Sequence, residues 1–88
     1  MNVILSGVLQ KYALYQREHS LAAETIQEAI AQLVGRFPAM SSVLLDQAGQ
    51  PRKVHRLFLN GQQIAPEQVG QCVGQGDRLE ILTAIAGG

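Results

Sequence analysis

Only one stretch of this chain carries a clear helical period, and that limits its fold more than any other feature. Between Glu24 and Arg36, the apolar residues Ile26, Ala29, Ile30, Leu33 and Val34 recur at spacings of three and four. Such spacing gathers them on one face of a helix. Gln27, Glu28, Ala31 and Gln32 fall toward the other side. Thr25 or Glu24 stands at the start, where an oxygen can accept from orphan N–H groups and negative charge suits the helix dipole. Gly35 and Pro38 are expected to end the helix, glycine through a left-handed cap and proline because it cannot continue the ladder. One amphipathic helix cannot bury its own apolar face. The economical solution is a mixed sheet lying against it.

The rest of the chain supplies strands for that sheet. Residues 2–8 are apolar and β-branched and read as a first strand. Leu9 to Gln16 is either a loop or a short helical turn, and Arg17 to Ala23 is a second strand. Met40 to Leu45 reads as a helical turn, and residues 46–51 form a loop by composition. Val54 to Asn60 is a strong strand. Asn60-Gly61 follows it, a favoured tight hairpin turn because both residues tolerate positive φ. Gln62 to Ile64 is the short return strand, Pro66 to Val73 is irregular, and residues 74–77 form a second turn. Arg78 to Ile85 is the last strand, with Leu79 and Ile81 alternating against Arg78, Glu80 and Leu82. The terminal strands are expected to pair centrally.

Size and composition narrow the function. Eighty-eight residues fit one domain and are too few for a barrel or a dinucleotide-binding fold. With 47% hydrophobic and 16% charged residues, the chain is suited to a compact fold. Seven basic residues balance seven acidic ones, so no overall field favours nucleic acid or an anionic membrane. No stretch approaches the roughly 18 apolar residues of a membrane helix. The N-terminus has neither the basic region nor the cleavage site of a signal peptide. A soluble, cytoplasmic protein is expected, and the single Cys72 fits a reducing compartment.

Individual residues give few signs of catalysis. As the single cysteine, Cys72 excludes an internal disulfide, lacks the partners for a four-ligand zinc site, and reads as small apolar filler, with a thiol acceptor as the alternative. His19 and His55 have no acid or nucleophile partner in sequence. Gly74-x-Gly76 lacks the third glycine and the following helix of a dinucleotide site. Arg52, Lys53, His55 and Arg56 form a basic group, read as a solvated approach to the strand, with binding of an acidic partner or a nucleotide phosphate as the alternative. No metal site is expected.

The end of the sequence is different. Ala86-Gly87-Gly88 closes the chain, and two glycines there have no fold-forming role. Together with Arg56-Leu57-Phe58-Leu59-Asn60-Gly61-Gln62-Gln63-Ile64 and Gly76-Asp77-Arg78-Leu79-Glu80-Ile81-Leu82, this ending resembles the ubiquitin-like sulfur carriers (ThiS/MoaD-like). The recognisable motifs cover about residues 52–88. The His55-Arg56 stretch and the Ala-x-Ala-Gly-Gly ending look most like the carriers of cysteine biosynthesis. Thr83 and Ala84 stand where molybdopterin synthase small subunits commonly have prolines.

The resemblance implies an α+β β-grasp domain over residues 1–85, with four or five strands on one main helix and a flexible tail over residues 86–88. It implies that Gly88 is the reacting residue. A ThiF/MoeB-like adenylating enzyme would use ATP to convert its carboxylate to an acyl-adenylate. A sulfur donor would then displace AMP and leave a thiocarboxylate. The chain would be a protein co-substrate with no permanently bound cofactor. Gly87 beside it would let the tail thread a narrow active site. The acceptor would be a cysteine synthase-like enzyme or a molybdopterin synthase large subunit. Strand parity adds a docking face: with Leu57, Leu59, Leu79 and Ile81 toward the helix, Phe58, Glu80 and Leu82 face solvent, and Ile85 and Ala86 extend that surface. The alternatives are a molybdopterin synthase small subunit and a ubiquitin-like tag or interaction module.

Overall fold

A computed structural model describes residues 1–83 of the chain. Val3 and Leu5 of β1 (Asn2–Leu5) point into the core. A short helix, α1 (Leu9–Tyr12), leads to β2 (Glu18–Ser20). The main helix α2 (Ile26–Arg36) is followed by a 3₁₀ turn over Pro38–Met40 and by α3 (Ser41–Leu44). Then come β3 (His55–Leu59), β4 (Gln62–Ile64), a 3₁₀ turn over Pro66–Gly70, and β5 (Arg78–Thr83). The five strands form one mixed sheet in the order β2-β1-β5-β3-β4. Only β1 and β5 run parallel, at the centre. This is the β-grasp, ubiquitin-like fold.

The register explains the core. Leu5, Ile81, Leu57 and Ile64 lie level across four strands, with Val3, Leu79 and Leu59 forming the adjacent row. These residues share the inner face because successive side chains alternate. Ile26, Ala29, Ile30 and Leu33 of α2 are buried against them, as the periodicity requires. Leu9, Ala13, Met40 and Leu44 close the core from the short helices.

Several local features resolve the sequence reading or depart from it. Thr25, rather than Glu24, caps α2, its hydroxyl accepting from the Glu28 N–H at 3.1 Å. Gly35 does not form a left-handed cap. It lies within the helix, which runs on to Arg36 and closes through the Phe37 N–H on the Leu33 carbonyl. The chain does not reverse there but continues into the turn opened by Pro38, so positive φ is not required. The second strand, Glu18–Ser20, is shorter than Arg17 to Ala23, although its ladder with β1 continues one pair further: the Leu21 N–H bonds the Met1 carbonyl at 2.9 Å and the Met1 amino group donates to the Leu21 carbonyl at 2.8 Å. Pro66 to Val73 is ordered at its start, where Pro66 opens a 3₁₀ turn and the Gln68 side chain accepts from the Ala65 N–H at 2.7 Å. Cys72 is exposed and is not apolar filler: its short bridge to Thr25 holds the backbone and leaves the thiol in solvent. Leu59 is half-buried because it sits at the end of β3, beside the turn.

Candidate functional site: the outer sheet face and the base of the C-terminal strand

The outer face of the sheet carries the residues expected for docking. Phe58 lies directly opposite Glu80, and Arg56 opposite Leu82. Ile4 of β1 is level with Glu80 on one side and Glu18 on the other. Phe58, Glu80 and Leu82 are each partly exposed, so the sheet brings all three expected residues to one face. Glu80 lies 3.9 Å from Arg78 in an exposed ion pair, which contributes little to stability. Sequence reasoning missed Ile4. It is only 3% exposed although it belongs to the outer face and not to the main core. The signal was available: if Val3 and Leu5 point inward, the apolar residue between them must point outward.

Four of the expected site residues, Ile85, Ala86, Gly87 and Gly88, lie outside the described residues, as does Ala84. What the structure describes is the strand leading to them. Thr83 ends β5 opposite His55. The His55 ring is buried, and its Nε2 meets the Val43 carbonyl at 2.9 Å, so that nitrogen must carry the proton. In the neutral ring Nδ1 is then an acceptor, and Thr83 Oγ1 donates to it at 3.3 Å. Burial holds His55 below the ordinary histidine range. The Val43 hydrogen bond opposes that shift, and the nearby charge of Arg52 adds to it. The basic group read from sequence therefore divides. His55 is structural, and Arg52 donates to the Ser42 carbonyl at 3.2 Å.

The start of β5 is held as firmly as its end. Asn60 adopts φ 51° in the hairpin turn, followed by Gly61 at 86°. Its side chain spans two strands: Oδ1 accepts from the Arg78 N–H at 3.0 Å, and Nδ2 donates to Asp77 Oδ1 at 2.9 Å. Asp77 Oδ2 accepts from the Gly74 N–H at 2.7 Å. The Asn60 hydrogen bond, then the Gly74 amide and the amino terminus, hold the Asp77 carboxyl below its usual range. The glycine-aspartate turn is thus a clamp that sets the register of the strand.

Among the described residues, the site offers a partly exposed, mixed apolar and charged surface. Among the described residues, no group of three or more His, Cys, Asp or Glu could hold a metal ion. No described helix is long and apolar enough to cross a membrane.

A family comparison decides what this arrangement belongs to. The ThiS family model matches residues 3–88, nearly the whole sequence. The chain belongs to the ThiS family. It is therefore a ubiquitin-like protein of the sulfur carrier group. No curated protein sequence matches it. Solved structures agree on the fold. The small archaeal modifier protein SAMP1 of Haloferax volcanii is similar at 25% identity and TM-score 0.81, covering 100% of this chain and 98% of that one. The BexX/CysO complex of Amycolatopsis orientalis gives 20% identity and TM-score 0.84, with 99% and 98% covered. CysO of Mycobacterium tuberculosis gives 20% identity and TM-score 0.81, with 96% and 98% covered.

Proposed function

We propose that this chain is a sulfur carrier whose reacting group is the carboxyl group of Gly88. The observation that carries the reading is that the family match runs through residue 88, the second of two glycines placed just beyond the central strand. A carboxylate is a poor electrophile. An adenylating enzyme of the ThiF/MoeB kind would join it to the α-phosphate of ATP, releasing pyrophosphate. A sulfur nucleophile would then attack the acyl carbon and expel AMP, leaving a thiocarboxylate. Glycine at 87 and 88 suits this role because a side chain would obstruct a narrow active site.

In this reading the chain is a cytoplasmic protein co-substrate, with no bound cofactor of its own. It presents the outer face around Phe58, Glu80 and Leu82, extended by Ile85 and Ala86, to its partners. Aromatic residues on partly exposed faces are frequent interface anchors. The sulfur acceptor would be a cysteine synthase-like enzyme, in a cysteine- or siderophore-type pathway.

The test is to incubate the chain with an adenylating enzyme, ATP and sulfide and to measure intact mass. The expected product is heavier by the difference between sulfur and oxygen, and deletion of Gly88 abolishes it. If the intact chain yields neither adenylate nor thiocarboxylate, the reading is wrong.

The similarity to SAMP1, named as a modifier protein, favours a second reading. The same carboxyl group would be joined to lysines of other proteins. Isopeptide-linked products that disappear on deletion of Gly87-Gly88 would establish it.

A further inference from the structure

The most exposed large apolar side chains in the described protein are neighbours. Leu14 is 75% exposed and Tyr15 73% exposed, at the tip of the connection from α1 to β2. Both have positive φ, 55° and 62°. The reason is local. The Tyr15 N–H reaches back to the Gln10 carbonyl at 2.7 Å, and the Ala13 N–H reaches the same carbonyl at 3.1 Å. The first of these is the six-to-one closure of a helix end, which asks for a left-handed residue at the position of Leu14. Glycine fills that place without strain, whereas leucine and tyrosine do not. Strained backbone of this kind concentrates at functional positions. Here it presents two apolar side chains to water with no return inside the fold.

Topology puts this knuckle at the same edge of the sheet as the end of β5. Because β1 and β5 are parallel, both end at the same edge of the sheet. A methyl group on Gly7 would lie 3.8 Å from Thr83 Cβ, so the loop leaving β1 borders the last residue of β5. The Leu5 N–H bonds the Arg17 carbonyl, bringing the other end of the loop back to the same edge, with Tyr15 two residues beyond. Two strand spacings, about 10 Å, separate that position from Thr83. Residues 84–88, fully extended, reach about 17 Å. An enzyme that takes the Gly88 carboxyl group into its active site would work within about 17 Å of Thr83, a radius that includes this knuckle.

We propose that Leu14 and Tyr15 form a second docking contact, at the root of the tail, for the ATP-dependent enzyme that adenylates Gly88. This inference rests on the sulfur carrier reading, since adenylation must come first on a free carboxylate. It is separate from the Phe58 face, which lies on the broad side of the sheet.

The test is ATP–pyrophosphate exchange by the adenylating enzyme from the cells that make this chain, with the carrier varied in concentration. The double variant Leu14→Gly with Tyr15→Gly removes both side chains while matching the positive φ. It should stay folded, melting near the wild type, and raise KM for the carrier about tenfold or more, as loss of an aromatic anchor does. Its kcat should stay within about twofold. A Leu14→Asn with Tyr15→Asn variant, also tolerant of positive φ, should behave alike and excludes loop loosening as the cause. Unchanged KM in both variants overturns the inference while leaving the carrier reading intact. No exchange with the wild-type chain overturns both. Sedimentation that shows a wild-type dimer lost in the variants, with KM unchanged, assigns the knuckle to self-association and also overturns the inference.

Discussion

Replacing Asn60 with alanine tests how the register of the tail-bearing strand is fixed. Asn60 serves in two ways that add. Its backbone sits at φ 51°, where asparagine is tolerated and alanine is strained by about 1 kcal/mol. Its side-chain oxygen accepts from the Arg78 N–H at 3.0 Å, a neutral hydrogen bond contributing about 1 kcal/mol. Asn60→Ala should therefore cost about 2 kcal/mol, which lowers Tm by roughly 8–16 °C for a domain of this size. The third contact, from Nδ2 to Asp77, is read by titration rather than energy because the Asp77 carboxyl lies at the solvent-facing surface of the turn. That hydrogen bond is the leading cause of its lowered pKa, so in Asn60→Ala the Asp77 carboxyl should titrate closer to the ordinary aspartate range. Denaturant unfolding gives the first quantity, and NMR titration of the Asp77 side chain gives the second. A loss below about 0.5 kcal/mol, or an unmoved Asp77 titration, would falsify the clamp.

Two further perturbations probe the helix and the base of the tail. Thr25→Ala removes the hydroxyl that accepts from the Glu28 N–H and should cost about 1 kcal/mol by denaturant unfolding, whereas Thr25→Ser should retain most of it; equal losses in both would show that the methyl group matters and the cap does not. His55 makes stability depend on pH. Its folded pKa is lowered, so between that value and about 6.5 the unfolded chain binds more protons and stability rises with pH. The contribution is fully present above about 6.5 and is lost as pH falls toward the folded pKa. Unfolding midpoints at about pH 7.5 and about pH 5.5 should differ more for the wild type than for His55→Gln, and equal differences would refute this origin.

The elements with a strong period were legible in the sequence. The apolar stripe from Ile26 to Leu33 required a helix with one buried face, and the alternation of Leu79 and Ile81 required a strand buried on one side. Asn60-Gly61 announced its turn because few residues accept positive φ. What was hidden depends on contacts between distant residues. Gly35 looked like a helix end, yet whether a glycine caps a helix depends on where the chain goes next, and here it continues to Pro38. His55 looked like part of a basic surface group, but the Val43 carbonyl that buries it lies 12 residues away. The outer face of the sheet was half legible: parity gave Phe58, Glu80 and Leu82. It gave Ile4 too once Val3 and Leu5 faced inward, but that residue entered only with the sheet order. The Leu14-Tyr15 knuckle carried no local signal, because neither residue type favours the left-handed backbone it adopts.

The parallel pairing of β1 and β5 links these observations. In the proposed carrier reading, a chain that offered its C-terminus to other enzymes would need a last strand that does not peel away under load. An edge strand is held by one neighbour, whereas β5 is held by two, β1 and β3. It is further fixed at its start by the Asn60–Asp77 clamp and at its end by the bond between Thr83 and His55. Central placement has a second consequence. It puts Thr83, the last described residue, at the middle of the sheet edge, beside Gly7 of the loop after β1. A tail of about 17 Å cannot carry its carboxyl group far from that edge. In the carrier reading proposed above, a partner reaching for Gly88 would have to bind the folded domain, so selectivity would reside in the domain surface while the reacting group is a residue with no side chain.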